Sequence, residues 1–229
     1  MDQLLQLIVF DYDGTLVDSQ AAIVATMQAA FAELQLAEPE PPAVRRQVGL
    51  TLERAIARLM HPEEQPEAAL HAAVTAAFRR RFQALRAAGG VTHEPLFAGM
   101  REVLEALAHP TRSFAIATGK NRRGLVASLA GHRLDHLFAV LKTADDGPSK
   151  PHPEILQQAM RETGVGPEQT LMIGDSVYDM EMASNAGAHA LGVGWGYHPA
   201  DELLRHGARA VALHPADLPR LVEDLRCAS

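Results

Sequence analysis

Compact apolar runs and stretches of helical period alternate along most of this chain. Leu4–Phe10, Ser113–Ala117, Ala139–Leu141, Leu171–Ile173, Ala190–Val193 and Ala210–Leu213 are short runs rich in Ile, Val, Leu, Ala and Phe. Such runs read as strands buried on both faces. Between most of them lie helical patterns. Arg101–Ala108 follows Gly99, and Asn121–Leu129 follows a Thr-Gly turn. Pro153–Glu162 ends near Gly164 and Val177–Asn185 near Gly187, as helices closing on a C-terminal glycine do. Strand and helix in alternation predict the α/β class: a Rossmann-like parallel sheet with helices on both faces.

Residues 19–88 break the alternation. Ile23, Met27, Ala30, Phe31 and Leu34 keep helical spacing, as do Leu70, Val74, Phe78, Phe82 and Leu85. Between them stand a proline-rich elbow, Glu38–Pro42, and a short helical pattern over Leu52–Met60. The expected organisation is a catalytic core of residues 1–16 and 94–229, with residues 17–93 inserted as an all-helical cap. Gly89-Gly90 suits a hinge back to the core.

Bulk properties narrow the partners. The 229 residues, 47% hydrophobic and 21% charged, suit one sizeable core plus an insert. Residues 17–93 hold eight Arg and eight Asp or Glu, so the remainder carries the whole net charge of −7. An acidic body without basic stripes argues against nucleic acid as a partner. The Arg79-Arg80-Arg81 run reads as a solvated helix face. The single cysteine, Cys227, excludes an internal disulfide and fits a reducing compartment. MDQLLQLIVF has no basic region ahead of its apolar stretch, and no run reaches the ~18 apolar residues of a membrane span. A cytoplasmic location with no membrane partner is expected; no oligomeric state follows.

The chemistry gathers at the ends of the predicted strands, where open parallel sheets bind ligands. Leu7–Phe10 runs into Asp11-Tyr12-Asp13-Gly14-Thr15, and Phe114–Ala117 into Thr118-Gly119-Lys120. Leu171–Ile173 runs into Gly174-Asp175-Ser176, with Asp179 four residues after Asp175. Lys150 stands in a loop before the helical stretch that starts at Pro153. Crowded carboxylates repel unless a cation binds them, and an oxygen-only donor set suits Mg²⁺ rather than zinc. With Asp13 protonated, a phosphate dianion, Asp11 and Asp175 are almost balanced by Mg²⁺ and Lys150. That near-balance lets an anionic carboxylate attack an anionic phosphoryl group. Asp11 is then the nucleophile and Asp13 the proton donor to the leaving alcohol and later the base on water. The Asp13 carbonyl and Asp175 would complete the metal site. Thr118 and the Gly119 amide would hold phosphate oxygens. Arg45 and Arg46, ahead of the Gly49 turn, are candidates for the far end of an anionic substrate. Lys120 reads as a helix-start or surface lysine and Lys142 as a strand-end residue. His132 and His136 read as surface histidines.

Asp11–Thr15, Thr118, Lys150 in Lys150–Glu154, and Gly174–Asp179 resemble, in order and spacing, the four motifs of the haloacid dehalogenase-like superfamily, type I capped members above all. The nearest resemblance is to phosphoglycolate phosphatase-like hydrolases. It implies Asp11 as nucleophile, Asp13 as acid/base, and Mg²⁺ held by Asp11, the Asp13 carbonyl and Asp175. Asp179 then orients Lys150 or a metal-bound water. Ala98 stands where the family usually carries Pro, in a connection outside the motifs. Asp13 argues against true dehalogenases, which lack it. The three lysines, Lys120, Lys142 and Lys150, all lie outside the cap, which excludes a Schiff-base phosphonoacetaldehyde hydrolase. The expected activity is a Mg²⁺-dependent phosphatase for a small phosphorylated metabolite. A phosphohexomutase or pyrophosphatase on the same core, or a non-catalytic receiver-like protein, are the alternatives.

Overall fold

The computed structural model describes residues 5–60, 67–89 and 93–226. The strand start expected at Leu4, the hinge glycine Gly90 and Cys227 lie outside them. Six strands form one parallel sheet: β1 (Leu7–Phe10), β2 (Ser113–Ala117), β3 (Val140–Lys142), β4 (Thr170–Gly174), β5 (His189–Val193) and β6 (Val211–Ala212). Their order is β3-β2-β1-β4-β5-β6, so β1 lies inside the sheet and the order reverses beside it. In register, Ile8 faces Phe114 and Leu171, and Phe10 faces Ile116 and Ile173. The strands match the predicted ones within a few residues. The edge strand β6 shortens to two residues, and Leu213 beyond it is exposed.

Side chains alternate across the sheet and build two core layers. Ile8, Phe10, Phe114, Ile116, Leu171, Ile173, Leu191 and Val193 pack with residues of three helices: α5 (Met100–Leu107), α6 (Arg122–His132) and α10 (Leu218–Arg226). Leu7, Val9, Ala115, Ala117, Met172 and Ala190 face the other way, onto α7 (Glu154–Thr163), α8 (Val177–Ala186) and α9 (Ala200–Arg205). Both faces of the sheet are thus covered, as the continuous apolar runs require. Helix ends follow local chemistry. The Asn121 side chain accepts from the Gly124 amide at 2.7 Å, which starts α6, and Gly164 and Gly187 close α7 and α8 with positive φ.

Between Val17 and Leu96 the chain leaves the sheet and forms α1 (Gln20–Glu33), α2 (Pro41–Arg45), α3 (Leu52–Met60) and α4 (Ala68–Gly89). Met27, Ala30, Phe31, Val44, Ile56, Val74 and Ala77 give these helices a core of their own. The outgoing and returning segments are tied together: Val17 pairs antiparallel with Leu96, and the Asp18 amide donates to the Pro95 carbonyl at 2.8 Å. The helical unit rests over the carboxyl ends of the strands. The Thr51 amide donates to Ser149 Oγ at 2.9 Å, and Arg58 donates to the Tyr178 hydroxyl at 2.7 Å. Among the described residues, no helix is long and apolar enough to cross a membrane.

Candidate active site

The β1 ladder delivers Asp11 to the sheet edge: its amide still donates to the Ile173 carbonyl at 2.9 Å. The chain then turns sharply, the Tyr12 carbonyl accepting from the Leu16 and Val17 amides. Gly14 sits in this turn at φ +89°, and a Cβ there would overlap the Asp175 carboxylate. Glycine is therefore required by both backbone conformation and space. Thr15 donates its hydroxyl to Asp175 Oδ1 at 2.8 Å, and the Tyr197 amide donates to Oδ2 at 3.0 Å.

Asp11, Asp175 and Asp179 are buried and can offer carboxylate oxygens that lie within 4.8 Å of one another. Lys150, fully enclosed, donates to Asp11 Oδ1 at 2.9 Å and to Asp179 Oδ1 at 2.6 Å. The other Asp179 oxygen accepts from the Ser176 amide and hydroxyl in a capping box at the start of α8. Asp179 is thus committed to fixing Lys150 and the helix start. Asp11 Oδ1 also accepts from the Tyr12 amide at 2.7 Å, while Oδ2 is buried with no partner.

Three carboxylates against one lysine leave the cluster short of positive charge. Burial first, then Asp179, outweigh Lys150 and push Asp11 up to about 7. Burial, Asp11 and Asp179 hold Asp175 well above the ordinary aspartate range. Burial alone would pull Lys150 down, but Asp11 and Asp179 overcome it and hold it above the usual lysine value. A hard divalent cation suits this all-oxygen set, and the orphaned Asp11 Oδ2 is a ready ligand or nucleophile atom.

Asp11, Asp13, Thr118 and Gly119 line a cleft of about 770 Å³ between the sheet edge and the helical unit. Its far wall carries Ile23, Met27, Phe78 and Phe82, with Arg79, Arg86 and Arg123 around it. The four motif positions therefore converge. Arg45 and Arg46 do not line this cleft: Arg46 pairs with Glu202 at 2.8 Å, and Arg45 lies at the end of α2. The arginine run lies on an exposed helix face as expected: Arg80 and Arg81 pair with Glu33 and Arg79 with Glu53, and Arg79 also borders the cleft.

Lys120 is not a surface lysine. Its ammonium is buried and donates to both Asp13 oxygens, at 3.0 and 3.2 Å, and to Glu94 at 2.5 Å. Burial would pull Lys120 down, but Asp13 and Glu94 hold it above its usual value. Glu94 was not expected from sequence; a buried Glu in a loop between two elements carries no local pattern. Thr15 lay inside the Asp11–Thr15 motif without a role of its own, which the structure supplies in its hydrogen bond to Asp175. Lys142 is a strand-end residue as expected, with its ammonium on Glu162 at 2.5 Å. His132 is half-buried rather than on the surface, and its Nε2–H donates to the Glu94 carbonyl, 2.8 Å away.

A parallel sheet with this acidic cluster, threonine and lysine at one edge defines a phosphoryl-transfer hydrolase. The sequence matches the haloacid dehalogenase-like hydrolase family over residues 8–193. The chain belongs to that family and is a phosphatase-type enzyme within it. It is 35% identical over 203 residues to a probable phosphatase, IndB, of Dickeya dadantii, covering 86% of this chain and 84% of the relative. It is 31% identical over 200 residues to a phosphoglycolate phosphatase of Mannheimia succiniciproducens, covering 86% and 89%. Among solved structures, a haloacid dehalogenase-like family hydrolase of Streptococcus pneumoniae superposes with a TM-score of 0.81 at 25% identity, over 96% of this chain and 99% of that one.

Proposed function

We propose that this enzyme is a Mg²⁺-dependent phosphatase of small phosphomonoesters, phosphoglycolate-like in size and charge, working through an aspartyl-phosphate on Asp11. The observation that carries the reading is Asp11 itself: Oδ1 is fixed by Lys150 and the Tyr12 amide, while Oδ2 is buried, unpartnered and beside the cleft. A held carboxylate with one free oxygen is set for in-line attack. Oδ2 forms the new bond to phosphorus as the ester P–O bond breaks. The departing oxygen keeps that bond's electron pair and takes the proton of Asp13. Water then attacks phosphorus, its proton returns to Asp13, and the Asp11 carboxylate leaves with the electron pair of its bond.

Thr118 and the Gly119 amide hold the other phosphate oxygens, and Lys150 balances their charge. Asp11, the Asp13 carbonyl and Asp175 would hold Mg²⁺, which when bound neutralises the charge of phosphate and carboxylates. Asp179 keeps Lys150 aimed at Asp11. Residues 17–93 serve as a cap that excludes water and selects the substrate. Arg79 and Arg86 of that cap, which line the cleft, meet the substrate's far end in place of Arg45 and Arg46. The phosphatase names of the relatives support the reaction class.

The test is phosphate release from a panel of phosphate esters, including phosphoglycolate and sugar phosphates, with Mg²⁺ and with chelator. Mg²⁺-dependent turnover, abolished in Asp11→Asn, is expected. Turnover retained in Asp11→Asn, or undiminished by chelator, would overturn the mechanism. Isomerisation of a sugar phosphate without net release would turn it into a mutase.

A further inference from the structure

Lys120 and Glu94 lie outside the four motif positions, yet they hold the one carboxylate the mechanism asks to move protons. The two hydrogen bonds found on the Asp13 side chain both come from Lys120, one to each oxygen. The Lys120 ammonium has its third bond to Glu94, and it lies between the rings of Tyr12 and Phe82, 5.7 and 5.4 Å from their centroids. Glu94 is wholly enclosed and is itself pinned: Ser128 donates to Oε2 at 2.9 Å, the Tyr12 hydroxyl donates to Ser128 at 2.8 Å, and Arg86 of α4 stands 3.5 Å away. The His132 ring meets the Glu94 carbonyl. Every side of the Asp13–Lys120–Glu94 row is therefore fixed by a different segment.

A stabilising role explains this poorly. Taking two carboxylates and a lysine out of water costs several kcal/mol, and apolar residues of similar volume often serve stability as well or better. The row does have a geometric consequence. A lysine touching both oxygens fixes the plane of the carboxylate, and with it the direction of the lone pairs that take a proton from water.

We propose that Lys120 and Glu94 are positioning residues that aim Asp13 at the water attacking the aspartyl-phosphate, so that their loss slows the second half of the reaction more than the first. This rests on the mechanism given above, with Asp13 as acid/base. Misaimed by a fraction of an ångström, Asp13 still permits departure of a stable leaving group, because such a group needs little protonation. It no longer activates water well.

The probe is p-nitrophenyl phosphate, followed by stopped flow with Mg²⁺, for wild type, Lys120→Met, Glu94→Gln, Lys120→Arg and Asp13→Asn. Lys120→Met is expected to release about one equivalent of p-nitrophenol per chain in a fast burst, then turn over ~100-fold more slowly than wild type. Its KM should not rise. Glu94→Gln should do the same more weakly, and Lys120→Arg should recover part of the steady rate. A raised KM at wild-type kcat would mean that Lys120 binds substrate and would overturn the proposal. So would equal slowing of both phases in Lys120→Arg, a variant that keeps the charge. Asp13→Asn separates the two claims: if it turns over like wild type, the acid/base reading itself fails, whereas loss in Asp13→Asn with none in Lys120→Met defeats the positioning role alone.

Discussion

Removal of the divalent cation should make this protein's stability fall as pH rises, and the size of that fall can be worked from the carboxylate cluster. Burial, opposed by Lys150 and reinforced by Asp179, carries Asp11 from the ordinary 3.8 to about 7. A group whose folded pKa lies above its unfolded value stabilises the fold fully below the unfolded value. That contribution is lost as pH climbs through the folded one. The gap corresponds to roughly 4 kcal/mol between the acid and alkaline limits, and Asp175 shifts in the same direction. A bound cation favours the ionised carboxylates and offsets the loss. Melting temperatures would be measured at about pH 5.5 and about pH 8.5, each with Mg²⁺ and with chelator. The difference between the two curves isolates the cluster from other titrating groups. Between those two pH values the Asp11 part of the loss is about 2 kcal/mol, so at about 2–4 °C per kcal/mol for a chain of this size the Mg²⁺ shift in melting temperature should be roughly 4–8 °C larger at the higher pH than at the lower. Asp11→Asn should shrink that difference. A Mg²⁺ shift equal at both pH values, or larger at the acid one, would refute the reasoning.

Two further substitutions probe the neighbouring geometry. A Cβ at Gly119 would overlap the Leu50 carbonyl oxygen, so Gly119→Ala must push the helical unit away from the phosphate loop. A ~10- to 100-fold loss in kcat/KM with a melting temperature only a few degrees lower is expected, and unchanged kinetics would show that the contact is dispensable. Lys150→Met leaves Asp11 and Asp179 without their enclosed cation. It should cost about 3–5 kcal/mol in chelator, read as a denaturant-midpoint shift, and abolish turnover; a midpoint equal to wild type would contradict the burial argument.

Much of this arrangement was legible because the signals are local. Asp11, Asp13, Thr118 and Asp175 each follow an apolar run, and the sheet edge brings such junctions together whatever lies between them. The helical unit was visible through its period and through the way it interrupts the strand–helix alternation. Lys120 was misread because a lysine after Thr-Gly looks like any helix start; its burial depends on Tyr12, Phe82 and Glu94, each far away in sequence. The basic residues of the cleft show the same limit. Arg45 and Arg46 sit by a glycine turn that suggested a binding loop, but the long helix α4 carries Arg79 and Arg86 to the cleft instead. Which face of a helix meets a ligand is decided by packing against other helices, and a one-dimensional pattern holds no record of it.

The antiparallel tie between Val17 and Leu96 has a consequence for how such an enzyme can be remodelled. An excursion that begins and ends at the same place closes its loop once, at the Val17–Leu96 bridge and the Asp18–Pro95 hydrogen bond, and its length adds only slowly to the entropy of closure. The helices between those anchors can therefore lengthen, shorten or be exchanged without disturbing the register of β1 against β2 and β4. The sheet edge acts as a fixed socket, and the helical unit as the replaceable part plugged into it.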